Sequence, residues 1–121
     1  MTDGFADTAV IRSWHAHIYY GAATRPTAER LREAIGAGFD VQLGRWHDEP
    51  VGPHPISMYQ VAFAVSEFPR LVPWLALNRG ELTVLVHPQA ENAYDDHTAH
   101  AMWLGAPLPL RLDVLRRARG G

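Results

Sequence analysis

Apolar and polar positions alternate from Ser13 to Gly21, SWHAHIYYG, so an extended chain puts His15, His17 and Tyr19 on one face and Trp14, Ala16, Ile18 and Tyr20 on the other. The period then changes. Arg25, Pro26 and Thr27 announce a helix, with Thr27 as N-cap, Leu31 and Ile35 on its inner face, and Gly36 and Gly38 at its end. Phe39 to His47 reads as a second strand, on which Leu43, Arg45 and His47 share a face. Asp48 to Pro55 holds three prolines and a glycine, too few amide donors for a central strand, and is a shaped connection. Ile56 to Val65 reads as a third strand. Ser66 can cap a second helix whose Phe68, Leu71, Val72 and Leu75 fall at helical spacing, with Pro73 near its first turn and Asn78 to Gly80 as its stop. Leu82 to His87 is a fourth strand.

The order β-α-β-β-α-β predicts an α+β, ferredoxin-like sandwich: an antiparallel sheet with two helices on one face. Beyond Pro88 a C-terminal extension follows, read as a short helix over Asp96 to Leu104 and a further strand over Leu108 to Val114. No internal repeat or linker interrupts the pattern, and 121 residues with 47% apolar content suit one core, so residues 1–121 are read as a single domain. About 12 residues at the start and about 6 at the end are peripheral to it. The uncovered sheet face, together with Trp14, Tyr20, Trp46 and Trp103, leads us to expect a homodimer.

Charge narrows the possibilities. A net charge of −2 gives no footprint for nucleic acid, and Arg116, Arg117 and Arg119 form a solvated basic end. There is no cysteine, which removes disulfides, thiolate nucleophiles and iron–sulfur clusters; there is no lysine, which removes Schiff-base chemistry. Neither a basic leader nor an apolar run of membrane-spanning length is visible, so a soluble cytoplasmic protein is expected.

Seven histidines carry the chemical interest. His15 and His17 lie two apart on a strand, about 6.6 Å between Cα atoms, and can chelate one ion; a bare His-x-His is equally compatible with a polar sheet face. His54 stands between Pro53 and Pro55 on a stiff loop, or is incidental to a tight turn. His87 closes an apolar strand. Arg45 beside His47 suits an anionic substrate group, although a surface ion pair is the plainer reading. His97 and His100, one helical turn apart in DDHTAH, look as much like a helix start as a ligand pair.

The segments HAHIYY, GRWHDEPVGPHPISMYQVAF, PWLALNRGELTVLVHP and DDHTAHAMWLG resemble, in order and spacing, the DOPA 4,5-dioxygenase family over roughly Ser13 to Leu112. The resemblance implies a small ferredoxin-like protein that cleaves a DOPA-like catechol in extradiol fashion with non-heme Fe(II) and O2. The product of such a cleavage is a seco-acid able to cyclise to betalamic acid-type pigments. It also implies that His15 and His17 match the family's His-x-His, His54 its GPHP histidine and His87 its VHP histidine, with the metal among these four. His47 and Tyr19 are then acid/base candidates and Arg45 a substrate contact. Fe(II) is the expected ion, and another divalent metal such as Zn can occupy such a site. No carboxylate is singled out, though Asp48 and Glu49 lie near His47, so an all-histidine site stays open. Two other readings remain: a non-enzymatic metal or small-molecule binding protein of the same fold, and a structural dimer whose histidines are interface groups.

Overall fold

The computed structural model describes residues 4–118. Its elements are β1 (Ser13–Tyr19), α1 (Arg25–Gly38), β2 (Gln42–Leu43), β3 (Met58–Phe63), α2 (Phe68–Asn78), β4 (Val84–Gln89), α3 (Ala93–His97), β5 (Met102–Leu104) and α4 (Leu112–Ala118). The strands form one sheet in the order β2-β3-β1-β4-β5, every neighbour antiparallel. Two helices and the first four strands therefore follow the expected β-α-β-β-α-β path, and β5 extends the sheet beyond β4.

The main core fills the space between the sheet and the helices. Ala16, Ile18 and Tyr20, the even positions of the first alternating segment, pack with Tyr59, Val61 and Phe63, with Val84 and Val86, and with Leu31, Ile35, Leu71 and Leu75. Tyr59 buries its ring completely and satisfies its hydroxyl by donating to the Ala28 carbonyl at 3.0 Å. Each large aliphatic side chain buried in this way contributes about 1.5–3 kcal/mol. A second, smaller cluster lies on the opposite face: Tyr19, Met58 and Leu85, covered by Ala101, Trp103, Leu108 and Leu110. One end of the face expected to be bare is thus roofed by the C-terminal extension. Of the four aromatic residues expected to be displayed, Tyr20 is buried, and Trp14, Trp46 and Trp103 are half-buried against the two cores.

Several elements differ from the sequence reading. The second strand spans only Gln42–Leu43, because Leu43 opposes Val61 while His47 opposes Met58, so the chain between them carries one residue more than β3. That extra residue separates the faces. Leu43 and Trp46 pack toward the helices, and His47, paired with Met58, does not share the face of Leu43. The first helix starts at Arg25 with Thr24 rather than Thr27 preceding it, and Ser66 lies in a single 3-10 turn, Val65–Glu67, ahead of α2. The expected helix over Asp96 to Leu104 is instead α3 followed by β5. The expected strand over Leu108 to Val114 ends in α4. Of the basic end, Arg116 lies over the Tyr94 ring and donates to its hydroxyl, and Arg119 falls outside the described residues. No helix among the described residues is long and apolar enough to cross a membrane.

Leu75, fully buried between α2 and the sheet, reports on this core. Leu75→Ala is expected to lower the unfolding free energy by about 2–5 kcal/mol, read as a reduced urea midpoint at unchanged slope.

Candidate functional site

The odd positions of β1 point away from α1 and α2, and the register with β4 sets His87 directly across from His15. Two further imidazoles reach this patch from outside the sheet. The loop after β2 brings His54, through a turn in which the His54 amide donates to the Val51 carbonyl and Gly52 takes φ +54, open to a residue without Cβ. This loop is tied to the C-terminal segment by the Arg111 amide, which donates to the Pro53 carbonyl at 2.8 Å. The last turn of α3 supplies His97.

Five imidazoles meet as a result. His17 Nε2 lies 3.0 Å from His87 Nε2, and ring centroids are 4.1 Å apart for His17 and His54 and 4.0 Å for His87 and His97. His15 stands at the rim, its ring 5.2 Å from that of His87 and its Nε2 3.0 Å from the Gln89 side-chain nitrogen. His17, His54 and His87 are buried, whereas His15 and His97 are half-buried.

Backbone carbonyls decide which nitrogens are available. His87 Nδ1 lies 2.9 Å from the Pro88 carbonyl and His97 Nδ1 2.7 Å from the Ala93 carbonyl. A carbonyl only accepts, so both Nδ1 atoms carry hydrogen and both neutral rings present a lone pair at Nε2. His54 Nδ1 meets the Tyr19 hydroxyl at 2.7 Å, and a phenol serves either tautomer because it can donate or accept. His17 Nδ1 has no hydrogen-bond partner although its residue is only 2% exposed. Leaving such a buried group unpaired costs about 1–3 kcal/mol.

Burial also keeps the cluster uncharged. Desolvation, reinforced by His97, His47 and His15, pulls His54 down to about 4. Desolvation and the neighbouring imidazoles pull His87 down to about 3 against the opposing pull of the Pro88 carbonyl, and push His17 well below the ordinary range. His15 and His97 are lowered for the same first reason, with Ala93 and Asp96 partly restoring His97. Burial raises the Tyr19 phenol, so it stays protonated.

Within two triples, His15 with His17 and His87, and His17 with His54 and His97, the donor atoms all lie within 4.8 Å of one another. His17 belongs to both. The donors are neutral nitrogens without thiolate or carboxylate, a set that fits a borderline divalent ion such as Fe(II) or Zn.

All four histidines expected at a metal are therefore gathered here, with Tyr19 against His54. His47 is half-buried, its backbone pairs with Met58, and its charge is among the causes that lower His54. Arg45 is exposed, and Asp48 lies outside the cluster, accepting from Tyr20 and Arg25. His97 joins the cluster although the sequence pattern ranks it below the strand histidines. Its signal was present in DDHTAH, but only the packing of α3 on β4 separates it from His100, which is exposed and lies 3.8 Å from the Asp96 carboxylate.

Fold and site together define a small α+β sandwich with an imidazole-lined centre on the sheet face opposite its helices. Residues 14–114 match the model of the Dopa 4,5-dioxygenase family, and the chain belongs to that family. It is 36% identical over 111 residues to the DOPA 4,5-dioxygenase of Amanita muscaria, covering 84% of this chain and 49% of that protein. An uncharacterized 21.2 kDa protein of Botryotinia fuckeliana is 34% identical over 125 residues, covering 93% and 68%. The chain thus spans about half the length of the Amanita protein. A crystal structure of a candidate dioxygenase from Nostoc punctiforme superposes with a TM-score of 0.93 at 52% identity, over 94% of this chain and 99% of that one.

The lowered imidazoles give stability a pH dependence. Between their folded values and the ordinary 6.5, the unfolded chain binds more protons, so stability of the metal-free protein rises with pH across that window. It is expected to fall as pH drops from about 6.5 toward 4, by about 1.4 kcal/mol per pH unit for each such imidazole. Urea midpoints of chelator-treated protein at a series of pH values check this, and His87→Asn should flatten the slope.

Proposed function

We propose that this chain is a metal-dependent, extradiol-type dioxygenase that opens a catechol ring with O2, with Fe(II) held by the imidazole cluster. The observation that carries the reading is the pair of carbonyl-fixed rings, His87 and His97, each presenting an Nε2 lone pair and each belonging to a triple of close donor nitrogens that shares His17. Membership of the Dopa 4,5-dioxygenase family supports the substrate class. In such a reaction the ring C–C bond beside the two hydroxyls breaks, and both oxygen atoms enter the product as an aldehyde and a carboxylic acid. Fe(II), when bound, supplies a Lewis acid for the catechol oxygens and a path for electrons to O2.

The chain's own groups supply the rest. His15, His17, His54, His87 and His97 are the residues that would hold the ion, and the Pro88 and Ala93 carbonyls keep two of these rings in the ligating tautomer. Burial holds the cluster unprotonated at neutral pH, so an imidazole not engaged in binding can accept a catechol proton. His47, half-buried and electrostatically coupled to His54, is our candidate for that task. The Tyr19 hydroxyl, protonated and hydrogen-bonded to His54, can pass or retain a proton there.

Anaerobic loading with Fe(II), followed by addition of catechols in air, tests the reading. Oxygen uptake with a new visible absorbance band is expected. Bound iron without oxygen uptake across a catechol panel would leave a binding protein instead.

Single replacements of His17, His54, His87 or His97 by Ala are expected to lower bound iron about tenfold while the protein stays folded. His100→Ala should leave iron content unchanged, since its ring lies outside the cluster. Metal analysis of the purified variants decides, and full occupancy without both His17 and His54 would refute the shared site.

A further inference from the structure

A groove of about 440 Å³ opens on the sheet face beside His15, at the end that the C-terminal extension leaves uncovered. Ala62 and Ala64 give it a low floor, and Gln42, Asp40 and Arg12 stand around it. The topology explains its position: Ala62 pairs with both His15 and Gln42, so the imidazole and the amide rise on either side of a side chain that ends at Cβ. His15 belongs at once to the imidazole cluster and to the groove wall.

Arg12 is held at the far end. Its backbone amide donates to the Gln89 carbonyl at 2.8 Å, and its guanidinium donates to the Ala90 carbonyl at 2.7 Å. Ala90 is itself fixed, its amide donating to the buried Asp96 carboxylate at 3.0 Å. No carboxylate among the described residues forms an ion pair with Arg12, so a guanidinium with five N–H donors is anchored through one of its nitrogens. Asp40, on the opposite wall, disfavours a second anionic group there.

We infer that this groove seats the tail of the ring substrate and that Arg12 is the specificity-determining residue that binds a carboxylate at the tail's end. The inference rests on the catechol reading of the imidazole site. Arg12 and His15 line the same groove, so a ring held at the imidazoles can direct a substituent along it toward the guanidinium. A carboxylate at the end of that substituent meets the free N–H donors of Arg12. Arg–carboxylate pairing then adds directional recognition to the ring's own contacts.

Calorimetric titration of the purified protein under argon, with dihydrocaffeate and with its primary amide, tests this directly. The acid is expected to bind about tenfold or more tightly than the amide, with Arg12→Ala bringing the ratio to about one and Arg30→Ala, on the exposed face of α1, leaving it intact. No preference for the acid in the unaltered protein, persistence of the preference in Arg12→Ala, or its loss in Arg30→Ala would each overturn the assignment. If the preference disappears with Arg12 but the iron-loaded protein consumes no oxygen with either ligand, the groove stands and the dioxygenase reading falls. Oxygen consumption together with an undiminished preference in Arg12→Ala would instead keep the dioxygenase reading and remove Arg12 from substrate recognition.

Discussion

The pairing register of β1 with β4 fixes everything at the imidazole centre. His15 opposes His87, and two residues along β1, His17 carries its Nε2 to within 3.0 Å of the same ring. Because side chains alternate with a period of two, a slip by one residue would send both β1 histidines toward the helices and the Ala16, Ile18 and Tyr20 series into solvent. The apolar side of the strand therefore enforces the placement of the polar side. Burial of Ala16, Ile18 and Tyr20 against α1 and α2 supplies the free energy, and the chemistry on the other face inherits the precision.

Five buried or half-buried imidazoles are not what a sheet face needs for stability. Packed together they share few hydrogen bonds, leave His17 Nδ1 unpaired, and depress one another's proton affinity. An apolar set of similar volume would satisfy the fold at lower cost, so the cluster departs from the local consistency seen elsewhere in the chain, as functional centres commonly do. The carbonyl contacts of His87 and His97 sharpen the point, since they orient rings that the core does not require.

Much of this was legible in the sequence where periodicity is strong. The alternation of SWHAHIYYG gave β1 and both of its faces, the helical spacing of Leu31 and Ile35 and of Leu71 and Leu75 gave the two covering helices, and the histidines at positions 15, 17, 54 and 87 do converge. The failures have physical causes. An extra residue between Leu43 and His47 shortens β2 and separates residues that simple alternation would align, and bulges leave no period to detect. The C-terminal extension is governed by long-range partners, namely β4 for β5 and the Pro53 carbonyl for Arg111, so local pattern misassigned it. His97 fell with it, because its role depends on where α3 docks.

The polar sheet face is graded rather than uniform. At one end Tyr19, Met58 and Leu85 are sealed under Trp103, Leu108 and Leu110; at the other, His15, Ala62 and Gln42 border an open groove. The imidazoles lie on the boundary between these regions. A cluster placed wholly under the roof would be inaccessible, and one placed wholly in the groove would be solvated and protonated nearer the ordinary imidazole range. At the boundary the inner rings, His17, His54 and His87, stay neutral through desolvation, while His15 faces the open groove. The C-terminal extension thus shapes the centre while lending few of its donor atoms: by covering one half of the face it lowers the dielectric around the inner rings and leaves the groove end open.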